Sequence, residues 1–219
     1  MASHVLRTPI TSVKAYTQIL QRMFEKEGKK ESVLYLTRMD TQINKLIKLI
    51  TDLLDLSKMQ AEKMVFVEEP FDVDALVSET IKNIQQTTPR HHIKLHGHVG
   101  RTIVGDKDRL GQVLTNLITN AVKYSPRTDT VIVTLSATSK QLTVCVQDFG
   151  IGIPKHHHAK VFERFYRVYA NKDTTYPGLG IGLYVAHEIV TRHKGTIWVE
   201  STEGQGSTFS FSLPFEQEA

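Results

Sequence analysis

The sequence predicts an α+β protein: a helical hairpin forming a dimeric four-helix bundle, followed by an α/β sandwich with a mixed, mostly antiparallel sheet and helices on one face. Two observations predict this fold. Apolar residues recur at helical spacing as far as Leu53, and beyond Phe71 short strand-like runs alternate with amphipathic helices. We expect a hairpin domain at 1–64, a linker at 65–70 and a second domain at 71–215.

The first part of the chain has the pattern of two antiparallel helices. Apolar residues repeat at helical spacing from Leu6 to Phe24, and the pattern stops in the polar, glycine-containing stretch Glu25–Glu31. A second apolar stripe then advances in steps of three and four, and its members are Leu36, Met39, Ile43, Leu46, Ile50 and Leu53. One hairpin has too little interior to cover both stripes, so we expect a homodimer.

The second part of the chain begins where the helical pattern ends, after Met64. Val65–Val67 looks extended, Pro70 punctuates the linker, and a helix is predicted over Phe71–Gln85. Strands are predicted at His92–His98, Thr130–Ala137, Gln141–Gln147, Thr196–Ser201 and Ser207–Leu213, and helices at Arg109–Tyr124 and Leu183–Arg192. Helices on one face of such a sheet leave a cleft beside the loops, where a ligand can bind.

Composition excludes several classes of protein. No apolar run approaches the roughly 20 residues that cross a bilayer, so we expect this piece to be soluble. The single cysteine, Cys145, excludes a disulfide scaffold and favours a reducing compartment. The net charge of +4 comes from basic residues interspersed with acidic ones, so we expect no nucleic-acid partner. The runs His91–His92 and His156–His158 lack ligand spacing and are predicted to be solvated surface.

Two glycine-rich segments indicate a nucleotide site. They are Asp148 to Gly152 and Gly178 to Gly182, and they flank a basic, aromatic stretch from Val161 to Arg167. Glycine lets backbone amides approach an anion, and Gly182 leads directly into a predicted helix whose N-terminus suits phosphate. Such glycine patterns also occur in ordinary turns, so their companions decide the interpretation.

The predicted helix Arg109–Tyr124 carries two asparagines, Asn116 and Asn120. They are four residues apart and therefore share one helix face, opposite the apolar side. Carboxamide oxygens are suitable Mg²⁺ ligands beside waters and substrate phosphates. Taken alone, the two asparagines are more simply ordinary surface residues, and a neighbouring phosphate loop favours the metal-binding interpretation.

These segments together resemble the ATP-binding domain of sensor histidine kinases. The boxes that carry the resemblance are, in chain order, Asn116 with Asn120, Asp148-x-Gly150-x-Gly152, Phe162 to Phe165, Gly178-x-Gly180-x-Gly182 and Gly206 to Phe209. The resemblance covers Phe71 to Pro214. It implies ATP and Mg²⁺ as cofactors and an aspartate on a response regulator as the final phosphate acceptor.

The resemblance also implies a role for each residue. Asn120 would hold Mg²⁺ with Asn116 close by, and Asp148 would accept the adenine amino group. Lys123 would face phosphate and Tyr124 the base. Arg164, in a lid between the glycine segments, would steady the transferring phosphoryl group. The remaining nucleotide-binding candidates are Gly150, Gly152, Gly178, Gly180, Gly182 and Thr208.

The start of the chain, Ser3 to Pro9, resembles the phospho-acceptor box of the same kinases. The resemblance implies that His4 is the nucleophile and that Thr8 positions water for hydrolysis of the regulator's aspartyl phosphate. One departure stands out, because the family usually has glutamate or aspartate directly after the histidine and this chain has Val5. General-base assistance is typically worth about 10²- to 10⁴-fold, so we expect Val5 to slow autophosphorylation and leave phosphatase activity intact.

We therefore predict the catalytic core of a sensor histidine kinase, cytoplasmic and belonging to a membrane-associated bacterial sensor whose upstream region lies outside this chain. An alternative is a kinase-impaired dimeric scaffold or response-regulator phosphatase, for which Val5 is the argument. A third interpretation places the chain among other ATPases of the superfamily. The acceptor box and the hairpin argue against that third interpretation.

Overall fold

The structure is a computed structural model that describes residues 2–60, 65–168 and 179–215, without the side chains of residues 2–8 and 60. The chain divides into two compact units, Met1–Met64 and Val65–Ala219. No helix within the described ranges combines the length and apolar character needed to cross a membrane.

The first unit is a hairpin of two long helices, α1 (Ala2–Lys26) and α2 (Lys30–Gln60). The turn between them is closed by a hydrogen bond of 2.9 Å from the Lys29 amide to the Phe24 carbonyl. Both predicted helices are present and extend beyond the apolar stripes that predicted them. In the second stripe Leu36 is buried and Met39 is exposed, whereas Val13, Tyr16 and Leu20 of the first stripe are all exposed.

The second unit contains a five-stranded sheet in the order β2-β4-β5-β7-β6. Its strands are β2 (His92–His96), β4 (Thr130–Ala137), β5 (Gln141–Gln147), β6 (Thr196–Thr202) and β7 (Gly206–Pro214). Strands β2 and β4 are parallel and the other neighbours are antiparallel. The mixed, mostly antiparallel sheet predicted from the sequence is thereby confirmed.

Three helices accompany this sheet: α3 (Val73–Thr87), α4 (Lys107–Tyr124) and α5 (Gly182–Arg192). Helix α4 begins at the N-cap Asp106, whose side chain accepts a hydrogen bond of 3.0 Å from the Arg109 amide. The core between helices and sheet is apolar, and its most deeply buried members include Leu114, Leu117, Ile118, Val131, Val133, Leu142 and Ile189. Burial of these apolar side chains is the main contribution to the stability of the unit.

The structure corrects three predicted elements. A two-stranded sheet, β1 (Glu69–Asp72) with β3 (Thr102–Gly105), was absent from the sequence prediction. As a result, Pro70 lies in a strand, and Phe71 precedes helix α3 because Asp72 caps it with a bond of 3.1 Å from the Ala75 amide. Strand β2 ends at His96 because the next residue, Gly97, has a φ of +82°.

The first described residues of the second unit are tied to the end of α5. The Phe66 ring lies 5.2 Å from the Arg192 guanidinium and 5.6 Å from the His193 ring, which it meets edge-on. The Asp106 amide donates to Nε2 of His193 at 2.9 Å, and Nδ1 of His193 donates to the Ile189 carbonyl at 2.8 Å. Residue 66 is therefore anchored to α5 through aromatic contacts with its last helical residue and C-cap.

Candidate functional site

Helix α4 places the two asparagines in different environments. Asn116 is 7% exposed, and its Nδ2 donates to the Gly182 carbonyl at the start of α5, at 3.2 Å. Asn120, one turn further along, is half-buried, and its carboxamide makes no hydrogen bond to another residue within the described ranges. Asn116 thus joins α4 to α5, while the Asn120 carboxamide is available to a ligand.

The N-terminus of α5 has no side-chain cap. Its N-cap residue is Ile181, which cannot accept hydrogen bonds from the first-turn amides as Ser, Thr, Asp or Asn would. Uncapped amides together with the helix dipole favour an anion at this position. Gly180 and Gly182 lie at this helix start, whereas Gly178 lies outside the described residues.

Asp148 follows β5 and is 4% exposed. Its Oδ1 accepts the Gly150 amide at 2.9 Å, and its main chain exchanges hydrogen bonds of 2.8 and 3.3 Å with Ser207. Burial raises the pKa of the Asp148 carboxyl, and hydrogen bonds from the Gly150 and Ser207 amides and the Ser125 hydroxyl only partly oppose that shift. A buried acceptor surrounded by fixed donors is suited to recognising one more donor on a ligand.

The glycines that follow Asp148 are required by close packing of backbone. A Cβ on Gly150 would collide with the Tyr124 carbonyl at the end of α4. A Cβ on Gly152 would collide with the Thr202 carbonyl, and the φ of Gly152 is +64°. Hydrogen bonds from the Ile151 amide to the Tyr124 carbonyl, at 3.1 Å, hold the loop in place. The loop is therefore fixed between α4 and the β6–β7 turn.

Lys123 and Tyr124 complete the end of α4 that faces this loop. Both are half-buried, and Nζ of Lys123 lies 3.2 Å from the Tyr124 hydroxyl and 4.7 Å from the centre of its ring. A cation held beside an aromatic ring provides a positive charge and a flat apolar surface at one position. The structure thus places Lys123 and Tyr124 beside the loop that carries Asp148.

Thr208 and Ser207 are neighbours in strand β7 and have opposite phases. Strand β7 alternates, and Phe209 and Phe211 of this strand belong to the core between sheet and helices. Thr208 has the opposite phase, so its side chain lies on the sheet face away from the helices. Ser207 has the core phase, is buried beside Asp148, and its hydroxyl lies 2.9 Å from that of Ser201. Ser207 is therefore a further candidate beside Asp148, and the alternation of β7 in the sequence indicates it.

Arg164 lies on an exposed turn after the short 3₁₀ segment Lys160–Phe162. Its guanidinium is 5.6 Å from the centre of the Phe165 ring, and the Phe165 amide donates to the Gly180 carbonyl at 3.0 Å. That hydrogen bond ties the turn to the second glycine segment. The arginine is therefore attached by backbone to the same segment that begins α5.

The histidine runs are less exposed than the sequence predicted. His91 is buried, and its Nε2 lies 3.2 Å from the Ser125 carbonyl. His157 is hydrogen-bonded through Nδ1 to the Tyr166 hydroxyl, and His158 contacts the Ile153 carbonyl at 2.9 Å. These rings satisfy main-chain and side-chain groups of the fold. No cluster of three or more His, Cys, Asp or Glu side chains that could hold a metal occurs in the described part of the chain.

His4 and Thr8 belong to the other unit. Their backbone lies in α1, which continues without a break from Ala2 to Lys26 and includes Pro9. Since they are four residues apart in one helix, they share a face. The nucleotide candidates that the structure brings together are Asn116, Asn120, Lys123, Tyr124, Asp148, Gly150, Gly152, Gly180 and Gly182, all within the second unit.

Two protein families match this chain. Residues 105–217 match the histidine kinase-, DNA gyrase B- and HSP90-like ATPases. Residues 1–62 match the His Kinase A (phospho-acceptor) domain. The two matches correspond to the second and the first unit of the structure respectively.

Individual relatives are similar over nearly the whole chain. The sensor histidine kinase WalK of Bacillus subtilis is 36% identical over 221 residues, which cover 99% of this chain and 36% of that protein. The sensor protein kinase WalK of Staphylococcus aureus is 36% identical over 220 residues, covering 98% of this chain and 52% of that protein. The chain spans about a third to a half of the length of these relatives.

Two solved structures with the same fold illustrate the similarity. Full-length ShkA in complex with AMPPNP superposes with a TM-score of 0.77 at 27% identity, covering 100% of this chain and 45% of that one. The mycobacterial sensor histidine kinase MprB superposes with a TM-score of 0.59 at 26% identity, covering 68% of this chain and 98% of that one.

Proposed function

This chain belongs to the sensor histidine kinase family, and from that premise we propose that it transfers the γ-phosphate of ATP to His4 and then to an aspartate on a response regulator. In the first step a His4 nitrogen attacks the γ-phosphorus, the bond to the bridging oxygen breaks and ADP leaves. In the second the aspartate carboxylate displaces the histidine. The match to a phospho-acceptor domain favours this proposal over an ATPase without a phospho-histidine.

The observation that carries the proposal is the setting of Asp148. A buried carboxylate held by the Gly150 amide suits the adenine amino group, which is a donor. The uncapped N-terminus of α5 at Gly182 is suited to the phosphates. Tyr124 would lie against the base and Lys123 against phosphate, since these two side chains occupy the end of α4 beside the Asp148 loop.

The carboxamide of Asn120 on α4 is suited to binding Mg²⁺. We assign Asn120 as its protein ligand with Asn116 close by, since Mg²⁺ accepts oxygen ligands and retains water and phosphate ligands in such sites. When bound, the ion would neutralise charge on the phosphates. Asn116 already donates to the Gly182 carbonyl, so its role is to hold α5 against α4. Arg164 is assigned to the transferring phosphoryl group, whose developing charge a guanidinium stabilises.

A labelling experiment tests the proposal. We expect the chain, incubated with γ-labelled ATP and Mg²⁺, to acquire phosphate that is labile in acid and stable in alkali, as phospho-histidine is. Chelation of Mg²⁺ with EDTA should prevent labelling, and addition of a receiver domain should remove the label. Steady release of inorganic phosphate with no label on the chain would contradict the proposal and favour an ATPase of the superfamily.

A second candidate function is that of a response-regulator phosphatase. Two residues in α1 favour it: Val5, which cannot act as a base beside His4, and Thr8, which is assigned to positioning water. In this function nucleotide acts as a conformational ligand. Dephosphorylation of a phosphorylated receiver domain, in the absence of label on His4, distinguishes it from the kinase.

We further propose that the first unit forms a homodimer. Apolar side chains remain exposed along both helices of the hairpin, at Val13, Tyr16, Ile19, Leu20 and Met23 of α1 and at Leu34, Tyr35, Met39, Leu46 and Leu53 of α2. Met39, Leu46 and Leu53 are spaced by seven residues, which is the repeat of a bundle seam. A second hairpin would bury these side chains in a four-helix bundle.

Replacing Leu46 by glutamate is expected to weaken the dimer at least about tenfold, because two charges would be buried in each bundle. Leu46 is 45% exposed in the single hairpin, so the monomer should tolerate the change. Analytical ultracentrifugation measures the outcome. Thr41→Glu is the matched control, because Thr41 is exposed and lies about 200° around α2 from Met39. Equal dimerisation of the Leu46 variant and the wild type would contradict the proposed interface.

A further inference from the structure

Strand β2 forms one edge of the five-stranded sheet, and its side chains alternate between two environments. Ile93 and Leu95 pair with Val131 and Val133 of β4, which are fully buried, so both lie on the face that carries the helices. The side chains on the opposite face are all exposed and all basic: His92, Lys94 and His96.

The main chain of β2 also has two sides. The His92 amide donates toward β4, to the Asp129 carbonyl, as expected of the paired side. The Ile93 amide points the other way and is satisfied by Oε1 of Gln85, from α3, at 3.0 Å. Leu95 has the same phase as Ile93 in the parallel ladder, so its amide and carbonyl point away from β4. Past Gln85, this edge is open to another strand.

A groove of about 410 Å³ runs beside this open edge, between α3 and β2. Its lining surface is mostly apolar, and the residues that line it are Ser78, Ile81, Lys82, Gln85, Gln86, Ile93 and Leu95. Leu95 is 37% exposed although its neighbour Val133 is fully buried. The helix therefore leaves part of the core-facing side of β2 uncovered.

We propose that this edge binds an extended segment of another polypeptide in which acidic and apolar residues alternate. The segment would lie beside β2 as an added strand and bond to the main chain of Leu95. Its apolar side chains would enter the groove on the side of Leu95, and its acidic side chains would lie on the other face, next to Lys94. The alternation of β2 itself thus defines the chemistry of the partner.

Lysine on an edge strand also discourages pairing between copies of the same sheet. That protection acts against neutral and basic strands, because a lysine repels like charge and desolvates poorly against apolar surface. It favours an acidic strand, since opposite charges directly across a strand pair attract each other. Lys94 can therefore disfavour pairing between copies of this sheet and still favour the binding of an acidic segment.

The experiment uses the whole chain and a fluorescent peptide of nine residues in which glutamate and valine alternate. We expect saturable binding, with the Leu95 amide resonance shifted and its hydrogen exchange slowed on addition of peptide. Lys94→Glu should weaken binding about fivefold or more, because attraction across the strand pair becomes repulsion. Lys140→Glu, the same change at an exposed site in the β4–β5 turn, should alter binding less than twofold.

Two further peptides distinguish added-strand binding from simple charge attraction. One has the same composition with its glutamates in a single block, and the other has lysine in place of glutamate. The proposal expects both to bind much more weakly than the alternating peptide. Three results would each overturn the proposal. They are equal binding of the blocked and the alternating peptide, unchanged affinity of the Lys94→Glu variant for the alternating peptide, and an unperturbed Leu95 amide resonance. Leu95→Asp gives a second variant that should abolish binding through the groove, with folding checked by circular dichroism.

Discussion

Replacing Asp148 by asparagine is expected to lower the affinity for ATP at least about a hundredfold, because an amide nitrogen would face a donor in a buried site, where an unsatisfied polar group costs about 1–3 kcal/mol. Asp148 is buried, and the described groups that bond its carboxylate are all donors: the Gly150 and Ser207 amides and the Ser125 hydroxyl. A carboxylate accepts all of these bonds and the adenine amino group as well. An amide nitrogen in the same place would face donors.

Isothermal titration with ATP at neutral pH measures this loss. Asp129→Asn is the matched control, because Asp129 is an exposed aspartate of the same unit and undergoes the same chemical change. Its affinity for ATP should stay within twofold of the wild type. If the Asp148 variant bound ATP within threefold of the wild type, the assignment of Asp148 to adenine would be wrong.

The Asp148→Asn variant should also differ from the wild type in how its free energy of unfolding depends on pH. Because burial raises the pKa of Asp148 above its ordinary value of 3.8, the folded state binds this proton more tightly than the unfolded state. The contribution of Asp148 to stability therefore falls as pH rises from 3.8 through the raised pKa. The free energy of unfolding of the variant, relative to wild type, should increase over that window. Urea denaturation of both proteins at pH 4 and pH 7 tests the sign.

Replacing Val5 by glutamate is expected to raise the rate of His4 phosphorylation by about a hundredfold, the lower end of what a positioned general base contributes. Val5 follows His4 directly in α1 and has no group that can take or orient the imidazole proton. A carboxylate there could do both. Binding of ATP should not change, because the nucleotide residues belong to the other unit.

The rate is followed as label incorporated from γ-labelled ATP. The double variant His4→Ala with Val5→Glu should acquire no label, which identifies the acceptor. Ser3→Glu provides a matched control, because it places the same charge on the other side of His4, about 200° around the helix from position 5. It should give no comparable increase. Fast and equal labelling of wild type and Val5→Glu would remove the argument that Val5 impairs the kinase.

Sequence reasoning succeeded where a pattern is local and long. Strands β4 and β5 each alternate over seven or eight residues, and the structure gives them the predicted bounds, Thr130–Ala137 and Gln141–Gln147. Helix α4 shows its apolar face over several turns, and Asn116 and Asn120 fall on the shared face that their spacing predicts. Such elements are determined by periodicity within one segment.

Sequence patterns do not predict an element whose formation depends on pairing with a segment distant along the chain. Strands β1 and β3 have four residues each and are defined by pairing across about 30 intervening positions, so no local pattern predicts them. The contact of Gly150 with the Tyr124 carbonyl is of the same kind. The placement of Ser207 is different, because Phe209 and Phe211 show the phase of β7 in the sequence itself, and that phase puts Ser207 on the core side.

Helix α5 has a function at each of its ends. Its first residue, Gly182, is held by Asn116, and its last turn holds Phe66 through Arg192 and His193. The helix has 11 residues, which makes it about 16 Å long, and a helix of that length bends little. A displacement of Phe66 would therefore either break its contacts with Arg192 and His193 or move α5 as a rigid body. In the second case the uncapped amides at the N-terminus of α5 would move as well.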